Sequence, residues 1–160
     1  MESGDLFALL DVLSCHNVPF VVIGGHAVTY HGFVRATEDT DVVFLRTPES
    51  ELSLLAALTE VNASWISNEI DPKTGIERLV PVNLPYIRAT RIMMLVTDFG
   101  CLGVFDYIPG CPNEPVEQLF DTALGQERYK YASLRWLRTM KSAANRPKDR
   151  LDLENLPDDS

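Results

Sequence analysis

The sequence predicts an α/β domain with a mixed sheet flanked by helices and closed by C-terminal helices. Three observations predict it. Short β-branched apolar runs, VPFVVIG and TDVVFL, alternate with segments of helical apolar spacing. A later stretch, RIMMLVTDFGCLGVFDYI, carries two apolar runs joined near Asp98-Phe99-Gly100, as a hairpin does. The last two segments each open on a helix-start signal, Ser133 and Pro147.

In chain order, DLFALLDVLSCHN places Leu6, Phe7, Leu9, Leu10, Val12 and Leu13 at helical spacing with a broad apolar face. VPFVVIG, bounded by Pro19 and Gly24, reads as a buried strand. GGHAVTYHG fits a short helix that starts at the glycines and stops at Gly32; FVRATED is a loop, and TDVVFL the second strand. TPESELSLLAALTEV has Thr47 as N-cap and Pro48 at the first helical position. From Asn62 to Ala89 the pattern weakens, and Pro72, Pro81 and Pro85 divide it into loops and short strands. After the hairpin come a helix in NEPVEQLFDTAL, a short strand in ERYKYAS, and helices in SLRWLRTMKSAA and RPKDRLDLENL. No internal repeat or low-complexity tract interrupts this order.

A chain of 160 residues, 46% of them apolar and 23% charged, is expected to form one domain: 1–160, with a core over 1–132 and C-terminal helices over 133–160. No apolar run approaches a membrane span, and the acidic start MESGD lacks the basic head of a secretory signal, so a cytoplasmic protein is expected. Cys15, Cys101 and Cys111 match no zinc spacing and are expected as small buried or half-buried thiols in a reducing compartment. The net charge of −9 disfavours an extended phosphate backbone on the surface. It leaves room for a nucleotide held through a divalent cation.

The chemistry-bearing stretch is VVIGGHAVTYHGFVRATEDTDVVF, Val21 to Phe44. Asp39 and Asp41 are one residue apart at the start of a strand, so their side chains share a face. Two adjacent carboxylates repel unless a cation or proton intervenes, and magnesium prefers carboxylate and phosphate oxygens. Gly24-Gly25 follows a strand and opens a helix; such a turn lets backbone N–H groups approach phosphate oxygens. Each feature alone has a plain reading, a solvated strand edge and a tight turn. Together they put a phosphate cradle beside a magnesium site, a pairing suited to phosphoryl or nucleotidyl transfer.

Gly24, Gly25, Ala27, His31, Gly32, Arg35, Thr37, Asp39 and Asp41 form a pattern that resembles the signature of the minimal nucleotidyltransferase fold. That superfamily includes polymerase-β-like enzymes, antibiotic nucleotidyltransferases and abortive-infection type toxins. Met140-Lys141, then Arg146-Pro147-Lys148-Asp149 and Asp152, resemble the C-terminal helices of its small bacterial members, so the likeness spans most of the chain. The resemblance implies the nucleotidyltransferase fold and a Mg2+-dependent transfer of a nucleoside monophosphate from an NTP to an acceptor hydroxyl. Asp39 and Asp41 would ligate the metal, and Gly24 and Gly25 would hold the β- and γ-phosphates. The acceptor is open: a small molecule, a protein or RNA. An acceptor pocket completed by a second copy would make the protein a homo-oligomer.

A third carboxylate on the second hairpin strand completes the two-metal site in that family. Counting from Gly100 or from Pro109-Gly110 places Gly103 at that position. The nearest acid, Asp106, has the wrong strand parity unless a bulge at Gly103 corrects it. Asp106 is therefore either the third catalytic acid or a solvent-facing strand-end carboxylate. Without a third acid the chain becomes a degenerate, non-catalytic nucleotide-binding module.

Arg35 either contacts a phosphate or neutralises Glu38 and Asp39. His26 and His31, five apart, lack the i, i+4 spacing of a helical metal pair, and His31 is expected to pack or hydrogen-bond beside the site. Arg135, Arg138, Lys141, Arg146 and Lys148 make the late helices basic; this is either a solvated charged face or a functional one, on which Lys141 reaches the triphosphate or the face receives an anionic acceptor. Asp149 and Asp152 are expected to pair with these bases or cap the last helix, and Trp65 and Trp136 to pack.

Overall fold

The structure, a computed structural model, describes residues 7–34, 39–125 and 129–157. Its elements are α1 (Ala8–Cys15), β1 (Phe20–Ile23), α2 (Gly24–Tyr30), β2 (Asp39–Phe44), α3 (Pro48–Glu60), β3 (Ser64–Ile70), β4 (Glu77–Pro81), α4 (Leu84–Ala89), β5 (Ile92–Thr97), β6 (Gly100–Phe105), α5 (Val116–Asp121), α6 (Leu134–Ala144) and α7 (Pro147–Asn155). The strands form one mixed six-stranded sheet in the order β1-β2-β6-β5-β3-β4. Only β2 and β6 run parallel; the other neighbours are antiparallel. This is the α/β architecture the sequence predicts.

Strand alternation divides the sheet into two faces. Phe20, Val22, Val42, Phe44, Met93, Leu95, Leu102 and Val104 pack with α1, α3 and Ile87 of α4 in the main core. Val21, Ile23 and Val43 point the other way, against Ile108, Leu119 of α5 and Met140 of α6. Ala27 and Val28 of α2 join Leu137 and Leu156 in a third cluster, which fastens α2 to the C-terminal helices. Asp39, Asp41, Gly103 and Met94 belong to the second face.

Local signals set most boundaries. Thr47 accepts the Ser50 N–H and Ser50 Oγ accepts the Thr47 N–H, a reciprocal cap ahead of Pro48. Asn83 caps α4 by accepting from Tyr86, with Pro85 in the first turn. That proline opens a helix where the sequence suggests a break, because a missing N–H costs nothing in a first turn. The segment expected as a strand in ERYKYAS makes only isolated bridges from Tyr131 to Val22 and Leu124 among its described residues. The cysteines also depart from expectation: Cys15 and Cys101 are exposed, and only Cys111 is half-buried. Among the described residues, no helix is long and apolar enough to cross a membrane.

Candidate functional site

The acid pair stands where β2 meets both of its neighbours. Register sets Asp41 opposite Ile23 of β1 and opposite Gly103 of β6; Asp39 faces Cys101. Thr40, between the acids, is buried on the opposite face. β1 runs straight into α2 through Gly24, whose φ of +69° lies in the left-handed region that favours glycine. A methyl group built on Gly24 would lie 2.7 Å from Asp41 Oδ2, and one on Gly103 would lie 2.4 Å from Oδ1. The Asp41 carboxylate thus occupies space that two missing side chains leave between adjacent strands.

Gly24→Ala is expected to cost about 1–2 kcal/mol through its left-handed backbone alone. It is also expected to displace Asp41. Thermal melts of the variant beside wild type check the first effect, and titration with Mg2+ and ATP checks the second.

Asp39, Asp41, Gly24 and Gly25 line one cleft of about 410 Å3 together with Lys141, Arg146 and Lys148 from the α6–α7 junction. Met94 and Phe105 supply apolar wall from the sheet. Burial pushes the Asp41 carboxyl up from its ordinary range, and the Asp39 charge adds to that. Lys148, Lys141 and Arg146 pull it down without cancelling the rise. An added cation would relieve both upward causes.

Lys141 does not lie on a solvated face. It is 6% exposed, with Nζ 3.3 Å from Asp149 Oδ1 and 3.0 Å from Asp152 Oδ2; both acids are fully buried. Asp149 also accepts from Arg146: its backbone N–H at 3.1 Å, Nε at 2.6 Å and Nη2 at 3.2 Å. The first bond caps α7. Burial works to raise the Asp149 carboxyl; the Arg146 hydrogen bonds and the Lys141 and Arg146 charges outweigh it and hold it below its ordinary range. Asp149 and Asp152 therefore pair with bases, as expected, at the centre of a buried cluster.

Asp106 is placed away from the acid pair. Arg46 Nε donates to its Oδ2 at 2.7 Å and Arg91 Nε to its Oδ1 at 2.9 Å; its side chain is 10% exposed. Arg46 is held in turn by Glu51 and by the carbonyls of Ile87 and Thr90. Asp106 is neither a cleft residue nor a solvent-facing strand-end acid. It ties the end of β6 to β2 and to the residues around α4. No bulge appears at Gly103, which keeps regular register with Asp41 and with Met94. The odd offset from Gly103 accounts for the direction Asp106 takes.

Arg35, Thr37 and Glu38 lie outside the described residues. His31 Nε2 bonds the Ala132 carbonyl at 2.8 Å, a packing role. His26 is buried, which lowers its pKa from the ordinary value. Trp65 stacks on Tyr86 with ring centroids 4.1 Å apart, and Trp136 packs against the second core cluster. No local pattern signals the Arg46–Glu51–Asp106–Arg91 network, whose Arg46–Asp106 link spans 60 residues. Arg146 and Lys148 read from the sequence as part of a basic face and of the C-terminal likeness; the signal that sets them apart is their position on either side of a helix-opening Pro147.

Among the described residues, no group of three or more His, Cys, Asp or Glu side chains could hold a metal. The two-carboxylate set of Asp39 and Asp41 fits Mg2+ in the way that ion usually binds, through one or two carboxylates with phosphate oxygens completing its shell. The missing Cβ atoms at Gly24 and Gly103 make the room that the Asp41 carboxylate itself takes up.

No protein-family model matches the chain. No curated protein matches it either. Among solved structures it is similar to JHP933 from Helicobacter pylori, at 15% identity and a TM-score of 0.42, over 88% of this chain and 57% of that one. It is also similar to a "putative nucleotidyltransferase" from H. pylori, at 15% identity and a TM-score of 0.43, over 88% of this chain and 59% of that one. The chain thus spans less than two thirds of the length of either protein.

Proposed function

We propose that the cleft binds a nucleoside triphosphate through Mg2+ held by Asp39 and Asp41, and that the chain is a nucleotidyltransferase moving a nucleoside monophosphate to an acceptor hydroxyl. One observation carries the reading: a pair of like-charged carboxylates, one partly desolvated between two glycines, shares a cleft with three cationic side chains. A ligand that brings a cation to the acids and an anion to the bases satisfies both groups, and a metal–polyphosphate does so in one molecule. When bound, Mg2+ would supply neutralisation of phosphate charge. The chain's own part is to hold the acids parallel on β2, to open the turn at Gly24 and Gly25 for phosphate oxygens, and to leave Met94 and Phe105 for the less polar part of the ligand.

A second reading, nucleotide binding without transfer, is favoured by a specific observation. Gly103 is the residue in register with Asp41 on the parallel neighbour, and Asp106 is committed to two arginines. The family's third carboxylate thus has no counterpart among the described residues of the cleft, and correct placement of an acceptor would suffer accordingly.

Incubation with NTPs labelled at the α-phosphate, Mg2+ and candidate acceptors, RNA included, separates the readings. Label transfer that Asp41→Ala abolishes is the result expected of the enzyme. Saturable Mg-NTP binding with no transfer establishes the module instead, and absence of both sinks the nucleotide assignment.

A further inference from the structure

We infer that Arg146 and Lys148, and not Lys141, are the side chains that grip the phosphate chain of the nucleotide. The inference rests on the nucleotide reading above and names which cations serve it.

Lys141 is already spent. Its ammonium sits between two fully buried carboxylates at 3.0 and 3.3 Å, with 7% of the side chain exposed. Turning to a ligand would take from the buried Asp149 and Asp152 the cation they share, a loss worth several kcal/mol that one phosphate contact does not offset. Lys141 lines the cleft as part of its frame.

Arg146 is built differently. Its side chain is 56% exposed at the cleft. Its bonds to Asp149 use Nε and Nη2, and the Nη1 edge bonds no described residue. A guanidinium has five N–H donors in a planar fork, so one edge can be anchored while another meets phosphate oxygens. The backbone sets this orientation as well. Asn145 is left-handed at φ 50°, Arg146 is extended, and Pro147 begins α7, so the α6–α7 junction is a short, conformationally restricted turn. The fully buried Asp149 then holds both the backbone N–H and the guanidinium of Arg146. A side chain held this way loses little freedom when a ligand arrives.

Lys148 follows in the first turn of α7. It is exposed and lines the same cleft. No described acid pairs with it within salt-bridge distance. Arg146 supplies a fixed fork and Lys148 a mobile point charge, a combination suited to a polyphosphate rather than to a single carboxylate.

The test is calorimetric titration of the full chain, in Mg2+, with ATP, inorganic tripolyphosphate and AMP. Wild type is compared with Lys148→Gln, Arg146→Gln and Arg146→Lys. Each loss of a charge-assisted contact is expected to weaken ATP and tripolyphosphate by about tenfold or more, and AMP by much less. Arg146→Lys is expected to recover only part of the affinity. Lys148→Gln leaves the buried cluster intact, so it decides the matter should Arg146→Gln fail to fold. Wild type binding ATP while Lys148→Gln and any folded Arg146 variant bind within twofold of it overturns the inference and leaves the nucleotide reading standing. Wild type binding neither ATP nor tripolyphosphate removes both.

Discussion

Asp41→Asn is expected to abolish Mg2+-dependent nucleotide binding and, without metal, to make the chain more stable. The two effects have one cause. Asp41 is held in the folded state with its carboxyl raised by burial and by Asp39. A carboxyl raised on folding binds its proton more tightly in the folded than in the unfolded chain. Stability therefore falls as pH rises from the ordinary carboxylate range, about 3.9, through the raised folded value, and the deficit persists above it. Asparagine keeps the shape and removes the charge. A gain of about 0.5–2 kcal/mol at neutral pH is expected, the size commonly found for a single stabilising substitution. Thermal melts in chelator at several pH values should show the advantage of the variant growing with pH and vanishing in acid. An advantage that is flat across pH, or ATP binding retained in Mg2+, contradicts the assignment of Asp41.

Lys141→Met is expected to have the largest effect on stability, a loss of about 3–5 kcal/mol. Methionine nearly matches the lysine stem but leaves Asp149 and Asp152 buried with one cation fewer. Urea unfolding measures the loss. Its pH dependence is the diagnostic. In wild type the lowered Asp149 carboxyl contributes stability that is present above the ordinary carboxylate pKa and lost as pH falls through its depressed folded value. In the variant the Lys141 charge no longer helps to hold Asp149 down while the Arg146 bonds remain, so less of that stability is present to be lost. The two stability curves should therefore converge as pH falls. Pairing Lys141→Met with Asp152→Leu should recover part of the loss, because an apolar replacement removes one buried charge along with the cation beside it. A loss below 1 kcal/mol at neutral pH would show that the cluster is solvated and that Lys141 is available to a ligand after all.

Much of the arrangement is written locally. The period of the apolar residues marks β1, β2, the β5–β6 hairpin and the late helices. Thr47 and Pro48 mark the start of α3. The one-residue spacing of Asp39 and Asp41 puts both on one face as soon as the segment is a strand, and the odd offset between Gly103 and Asp106 sends Asp106 away from Gly103. These features depend on backbone geometry within a few residues, so composition and spacing carry them. Pro85 is the exception at this scale. A proline that ends one helix can open another, and the Asn83 cap two residues earlier decides between the two.

What the tertiary structure alone decides is which charges meet. Arg46 and Asp106 are 60 residues apart, and nothing in either neighbourhood selects the other. Lys141 reads as a surface cation until α7 folds back on α6 and buries two carboxylates beneath it. Tyr131 sits in a strand-like run that finds a bridge partner without entering a named strand. The sequence by itself determined the order of most elements, α4 and the ERYKYAS segment excepted, and the shared face of the acid pair. The pairing of the ionic groups, and with it the division between cations that build the cleft and cations left facing into it, came only with the packed chain. Coulomb and desolvation energies depend on distances between segments remote in sequence, and no local pattern encodes those distances.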